Sequence, residues 1–269
     1  MAEQQDANLA RIIAKINKLQ NMTVANGATE PEERLSQAQA AKLMAQYVID
    51  AAMLAAAEGG SRQEDITHRV FPIADGPYLV ARSYLVQMLG IGLGGQAMVA
   101  SRRMGRRVLS HTVTVVATTS VLDLMEALHP QLALHAADAV AGAWREFDAV
   151  ALWETTGQRA GARRRFTASF LLAYAVRLKE RLEASRRLIE DDTPGAALVL
   201  LSDADRIAAR FDEMYPDLKK ADRMKISSRA GMDAGQHAAN GANIGVSNLA
   251  GGRAELPAAN DHDQEHAGH

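Results

Sequence analysis

The stretch Gln96–Leu128, QAMVASRRMGRRVLSHTVTVVATTSVLDLMEAL, decides the fold. QAMVA and VLSHTVTVVATT flank a short basic segment, SRRMGRR. In the second of these runs Thr112, Val113, Thr114 and Val115 alternate polar and apolar side chains, the period of a half-buried strand. Two strands around one glycine-containing turn read as a β-hairpin with Arg102, Arg103, Arg106 and Arg107 at its tip. The period then changes. Ser120 and Asp123 are cap candidates for a helix whose apolar positions are Val121, Leu124, Met125, Leu128, Leu132, Ala136 and Ala139, with a kink or split expected at Pro130.

Working outward, ITHRVFPI (66–73) reads as a further strand, and Pro77 opens a helix that runs through Leu89. A second long helix carries Phe166, Phe170, Leu171, Tyr174, Leu178, Leu182 and Ile189 at helical spacing. AALVLL (196–201) reads as a short strand, followed by a helix capped by Ser202 and ending near Tyr215–Pro216. Strands segregated from helices that pack on one side make an α+β domain over residues 64–216. Residues 217–269, rich in glycine and alanine and ending DHDQEHAGH, read as a flexible tail.

Residues 1–60 form a separate pattern. Leu9, Ile12, Ile13, Ile16 and Leu19 make one apolar stripe, with Arg11, Lys15 and Lys18 lying off it. After the loop NGAT, Thr29 and Glu32 have capping-box spacing, with Pro31 in the first turn. A second helix presents Ala40, Leu43, Met44 and Tyr47 and stops at Gly59–Gly60. Two such stripes close on each other most simply as an antiparallel helical hairpin. A lysine-rich helix KIxKL, a loop leading into TExE and a helix AxxLMxxY resemble the domain of unknown function 2786. The residues that carry the likeness are Lys15, Ile16, Lys18, Leu19, Thr29, Glu30, Glu32, Ala40, Leu43, Met44 and Tyr47. PYLVARSYL, VTVVATTSVLDLMEAL and RRRFTASFLLAYAVRLKERL resemble, more loosely, the larger domain that often follows it. The resemblance implies a bacterial or phage protein and supplies no activity. It departs from the family at Ala117, Thr118 and His129, where relatives tend to carry aromatic or glycine positions, so no site is carried over to them.

Composition narrows the function. The 269 residues contain no cysteine, which removes disulfides, thiolate metal sites and a cysteine nucleophile. Thirty basic and 32 acidic side chains nearly balance, so any attraction for a polyanion must be local. The N-terminus lacks a basic segment followed by an apolar run, and 79–100 is broken by Arg82, Gln87 and glycines. Neither a secretory signal nor a membrane span is read, and a cytoplasmic protein is expected. Gly90, Gly92 and Gly95 match G-x-G-x-x-G, but a helix precedes and a strand follows, the reverse of what a pyrophosphate needs. The set reads as a helix stop.

His262, Glu265 and His266 match an inverted zinc-hydrolase pattern but sit on a polar tail with no apolar face. His135 falls on the stripe with Leu128 and Leu132, as a hydrogen-bonded core histidine would. His129, six residues earlier, points elsewhere, while His68 and His111 lie on strands. Asp191 and Asp192 read as a solvated helix end. No catalytic residue, cofactor or metal ligand is assigned.

Two arginine groups remain: Arg102, Arg103, Arg106 and Arg107, and Arg163, Arg164 and Arg165 running on from Arg159 into a helix. Guanidinium forks suit phosphate oxygens, and a two-stranded ribbon can enter a groove. Positive charge at a helix N-terminus opposes the dipole, which points to an external anion. Glu180 and Glu183 and the scarcity of aromatics weigh the other way. Nucleic acid, a protein contact and plain solvated surface all stand as readings of these arginines. A non-enzymatic macromolecule-binding protein is the leading expectation. A metal-dependent hydrolase built from histidines that meet only in the fold, and a structural or oligomeric component of a phage or mobile element, are the alternatives.

Overall fold

The computed structural model describes Lys18, Gly27, Thr29, Glu32 and residues 64–105, 107–192, 194–218 and 225–242. For Arg107 and residues 188–192 and 194–199 only the backbone is described. The expected N-terminal hairpin lies outside the described residues apart from one feature. The Thr29 amide donates to Glu32 Oε2 at 2.8 Å, and the Glu32 amide donates to Thr29 Oγ1 at 3.4 Å. This is the reciprocal capping box read from the sequence.

The body is α+β. Its elements are β1 (Ile66–Ile73), α1 (Leu79–Gly92), β2 (Gln96–Met104), β3 (Arg107–Thr118), α2 (Thr119–Val150), α3 (Thr156–Asp192), α4 (Pro194–Met214) and α5 (Arg229–Gly241). The sheet is antiparallel in the order β1-β3-β2. Alternation divides β3 between two faces. Val113, Val115 and Ala117 are fully buried on one side, where Val115 and Met125 crowd Gly90 of α1. Arg69, opposite Val115, reaches Asp123 and Glu126 of α2 at 2.8 and 2.6 Å.

Val116 on the other face packs with Ile207 and Phe211 of α4. Helices therefore cover both faces, not one as the sequence suggested. AALVLL, moreover, is not a strand but part of α4. A short apolar run does not distinguish strand from helix. Pro194 at the helix start, and the buried series Leu200, Ile207 and Phe211 with Leu201 exposed, are helical signals. Ser202 consequently lies inside α4 rather than capping it.

Three other expectations change. Pro130 does not split α2, whose helical span runs unbroken across it; the proline lies on the exposed side, where the carbonyl it leaves unbonded can be solvated. The N-terminus of α2 is capped from a distance: both the amide and the hydroxyl of Ser120 donate to the carboxylate of Glu64, the latter at 2.9 Å. Residues 229–241, read as flexible, form α5.

Gly231, Gly235 and Ala239 of α5 are buried at four-residue spacing. A Cβ at Gly231 would stand 2.4 Å from the Phe166 carbonyl oxygen, and one at Gly235 2.3 Å from that of Phe170. Glycine here allows α5 to run parallel to α3 in backbone contact. The two ends of α5 are fastened to the same helix. Ser169 Oγ accepts from the amides of Ser227 and Ser228 at 3.1 and 3.0 Å, and Arg181 donates to the carbonyls of Ala239 and Ala242. A buried cation at a helix C-terminus satisfies otherwise orphaned carbonyls and complements the dipole. Burial pushes the Arg181 pKa down to about 10, which leaves it charged at neutral pH.

Candidate nucleic-acid interface

Pairing between β1 and β3 stops at Ile73 opposite His111. The β2–β3 hairpin continues beyond it as a ribbon of two strands. Arg102 lies opposite Ser110, Arg103 opposite Val108 and Met104 opposite Arg107, with a register shift between Arg102 and Arg103. Leu109 is thus the extra residue of a bulge, which bends and twists the ribbon locally. Gly105, with φ of 59°, opens the turn as a two-residue hairpin connection requires. Val108 still rests against the core, whereas Ser101 through Gly105 are all exposed.

Helix α2 climbs in the same direction. Asp123 and Glu126 meet Arg69, and further along His129 meets the edge of Phe71, both steps leading toward the ribbon. The 32 residues of α2 span ~48 Å and the 12 of β3 span ~40 Å. The α2–α3 turn and the hairpin tip therefore lie toward one end of the molecule. Helix α3 returns from that end: Arg159 meets Asp148, Phe166 meets Trp144 and Phe147, and Tyr174 meets His135. Arg186 reaches Gly94 at the opposite end.

The two arginine groups predicted from sequence thus share one end. Arg102 and Arg103 are exposed on the ribbon, and Arg163, Arg164 and Arg165 are exposed on α3. Arg106 lies outside the described residues, and Arg107 is placed by its backbone alone. None of the five exposed arginines makes an ion pair with a described carboxylate. Most other described arginines are engaged: Arg69 with Asp123 and Glu126, Arg177 with Glu180, Arg206 with Asp203, Arg210 with Glu213, and Arg229 with Asp233. Arg82 donates to the carbonyls of Ala74 and Pro77. Arg159 is absorbed as well, held by Asp148 through several hydrogen bonds that keep this carboxyl below its usual range. Arg163 adds a weaker pull on the same carboxyl. Arg187, toward the other end of α3, is a further exposed cation that makes no ion pair with a described carboxylate.

The histidines do not assemble. His68 lies opposite Val116, and His111 shares the alternate face of β3 with Val113, so they are on opposite sides of the sheet. His111 Nδ1 lies 2.8 Å from Ser83 Oγ, and His135 Nδ1 lies 3.0 Å from the Tyr174 hydroxyl. His135 is therefore the hydrogen-bonded core histidine its position suggested. Ser83 and His111 look like a nucleophile and base, but Ser83 is 1% exposed and its hydroxyl also reaches the Val80 carbonyl at 2.9 Å. No substrate carbonyl could approach it. No group of three or more histidine and carboxylate side chains is placed to hold a metal among the described residues. His262, Glu265 and His266 lie outside them.

One small cleft escaped the sequence reading because its parts are far apart in the chain. Glu64, Thr118, Arg186 and Asp203 line it, with about 20 Å³ of room for water. That volume accommodates roughly one water molecule, far below the ~300 Å³ of a small-ligand site. Burial raises the pKa of both carboxyls, against the hydrogen bonds from Ser120 to Glu64 and from Arg206 to Asp203. Arg206 spans the two, donating to Asp203 and to the Glu64 carbonyl, both at 2.8 Å. The cluster fastens α2, α4 and the chain entering β1.

These groups set the acid response. Burial lowers the pKa of His111, His129 and His135 below the ordinary 6.5. The unfolded chain then binds more protons, so stability held above about 6.5 is lost as pH falls through the lowered folded values. Glu64 and Asp203 act oppositely: their contribution is full below 4.5 and 3.8 and is lost as pH rises through the raised folded values. The thermal midpoint is expected to fall as pH drops from about 7 to about 5, with the slope easing below that. A midpoint that holds or rises from 7 to 5, followed by calorimetry, contradicts the burial of these imidazoles.

The body is thus an α+β protein with an exposed basic end, and no described helix is long and apolar enough to cross a membrane. Residues 11–51 match the family described as "Protein of unknown function (DUF2786)", the segment that carries the sequence resemblance. Neither the curated proteins nor the solved structures give a match to the chain.

Proposed function

We propose that this chain is a non-enzymatic, cytoplasmic nucleic-acid-binding protein that works through the basic end of its α+β body. The observation that carries the reading is the contrast among arginines. Those distributed over the rest of the body are mostly consumed by carboxylates or carbonyls, whereas Arg102, Arg103, Arg163, Arg164 and Arg165 toward one end are exposed and make no ion pair with a described carboxylate. Exposed arginines on two elements suit the charge of a phosphate chain, where bidentate bonds and counterion release supply the affinity. The near-neutral total charge then confines the attraction to this end. The buried Ser83–His111 pair and the one-water cleft offer no room for a metabolite.

The test is a gel-shift titration of the full chain at low salt against DNA and RNA of mixed sequence. A shift that disappears at moderate salt is expected. No shift with either polymer overturns the reading and leaves a protein partner or a solvated surface.

A further inference from the structure

We infer that the polymer is duplex DNA in the B form and that the β2–β3 ribbon enters its major groove, a step that rests on the nucleic-acid reading above. Dimensions come first. From Arg102 to the Gly105 turn the exposed strand advances ~10 Å at about 3.3 Å per residue. A B-form major groove is about 12 Å wide and about 8.5 Å deep and admits a two-stranded ribbon without deformation, whereas a minor groove about 6 Å wide must be opened to take one. The major groove of an RNA duplex is too narrow for side chains to read.

The chemistry of the tip agrees. Arg102 and Arg103 flank the register shift, which re-aims neighbouring side chains at the point where they become exposed. Arginine is the residue that pairs bidentately with guanine O6 and N7. Met104, 68% exposed beside them, is an apolar tip of the kind that meets a thymine methyl rather than water. Arg163, Arg164 and Arg165 stand on a helix toward the same end, placed to hold the flanking phosphates, which set register without reading sequence.

Single strands are disfavoured by what the surface lacks. Proteins that hold them stack bases on aromatic side chains. Among the described residues no Phe, Trp or Tyr side chain is more than half-exposed. Both tryptophans, Trp144 and Trp153, stack on each other and meet Phe147 at an angle within the α2–α3 cluster.

The experiment compares four probes of one sequence at a single low salt concentration: duplex DNA, its single strand, the RNA duplex, and duplex DNA with 7-deazaguanine for guanine. Full-length protein and the variant R102A/R103A are titrated with each, and unchanged thermal unfolding of the variant confirms its fold. The expected result is duplex DNA bound at least about tenfold more tightly than single strand or RNA duplex. The 7-deazaguanine probe, which lacks the N7 acceptor, should lose affinity for the wild type and not for the variant. Equal affinity for all four probes leaves the nucleic-acid reading standing and overturns groove entry. So does a DNA preference that the variant retains in full. Binding to none of them overturns both.

Discussion

Gly235→Ala should destabilise the fold by about 3 kcal/mol, lowering the thermal midpoint by about 6–12 °C. One methyl group does this because of what it meets. Its carbon would sit 2.3 Å from the Phe170 carbonyl oxygen, and that oxygen belongs to the backbone of α3, which has no rotamer to change. The helices must separate, and the separation loosens the bonds of Ser227 and Ser228 to Ser169 and of Arg181 to Ala239 and Ala242. Arg181 would then be a buried cation short of acceptors, a costly state. Gly142→Ala in α2 is the matched control. Nothing lies within 4 Å of its Cβ position, and alanine is the better helix former, so it should stabilise by about 0.5–1 kcal/mol. Opposite signs at two helical glycines, read by thermal unfolding, are the expected outcome. A stabilising effect at both positions would show that α5 does not pack on α3 in backbone contact.

Replacing Arg163, Arg164 and Arg165 together by alanine should weaken nucleic-acid binding at about 0.1 M salt by two to three orders of magnitude. Each phosphate contact contributes about 0.9 to the slope of log affinity against log salt, so three lost contacts remove about 2.7. The change falls on exposed side chains of α3 that make no ion pair with a described carboxylate, which leaves the fold intact. Alanine is also a stronger helix former than arginine, so the melting temperature should hold or rise slightly. A variant that folds normally and binds as the wild type does would remove α3 from the interface.

Local signals made much of this fold legible. The alternation from Thr112 to Val115 and the strand 66–73 are short-range patterns that occur at the positions read, while the basic turn is narrower than SRRMGRR because residues 101–104 and 107 pair as strand. Phe166, Phe170, Tyr174, Leu178 and Leu182 are buried along α3 as their spacing requires. The Thr29–Glu32 box formed because its two halves are three residues apart.

What escaped was set by contacts distant in sequence. Ser120 sits where a cap was expected, yet the acceptor is Glu64, 56 residues earlier, and no local pattern announces it. Asp123, the other cap candidate, is taken by Arg69. Helix α5 has almost no large apolar side chain, and its driving contact is an absence of Cβ atoms. The four-residue repeat Gly231, Gly235, Ala239 was the available signal, and the general abundance of glycine and alanine in that stretch hid it. The arginines were visible as clusters. Their shared end follows from the direction in which α2 climbs the sheet and α3 returns, which only the folded chain specifies.

The central claim is that exposed arginines at one end of this body neutralise phosphates. It is tested most directly by titrating the full chain with duplex DNA across a series of salt concentrations. If all five of Arg102, Arg103, Arg163, Arg164 and Arg165 contact phosphate or displace counterions, log affinity should fall against log salt with a slope near −4.5, about 0.9 for each. A slope near zero, or no measurable binding at the lowest salt, would contradict it.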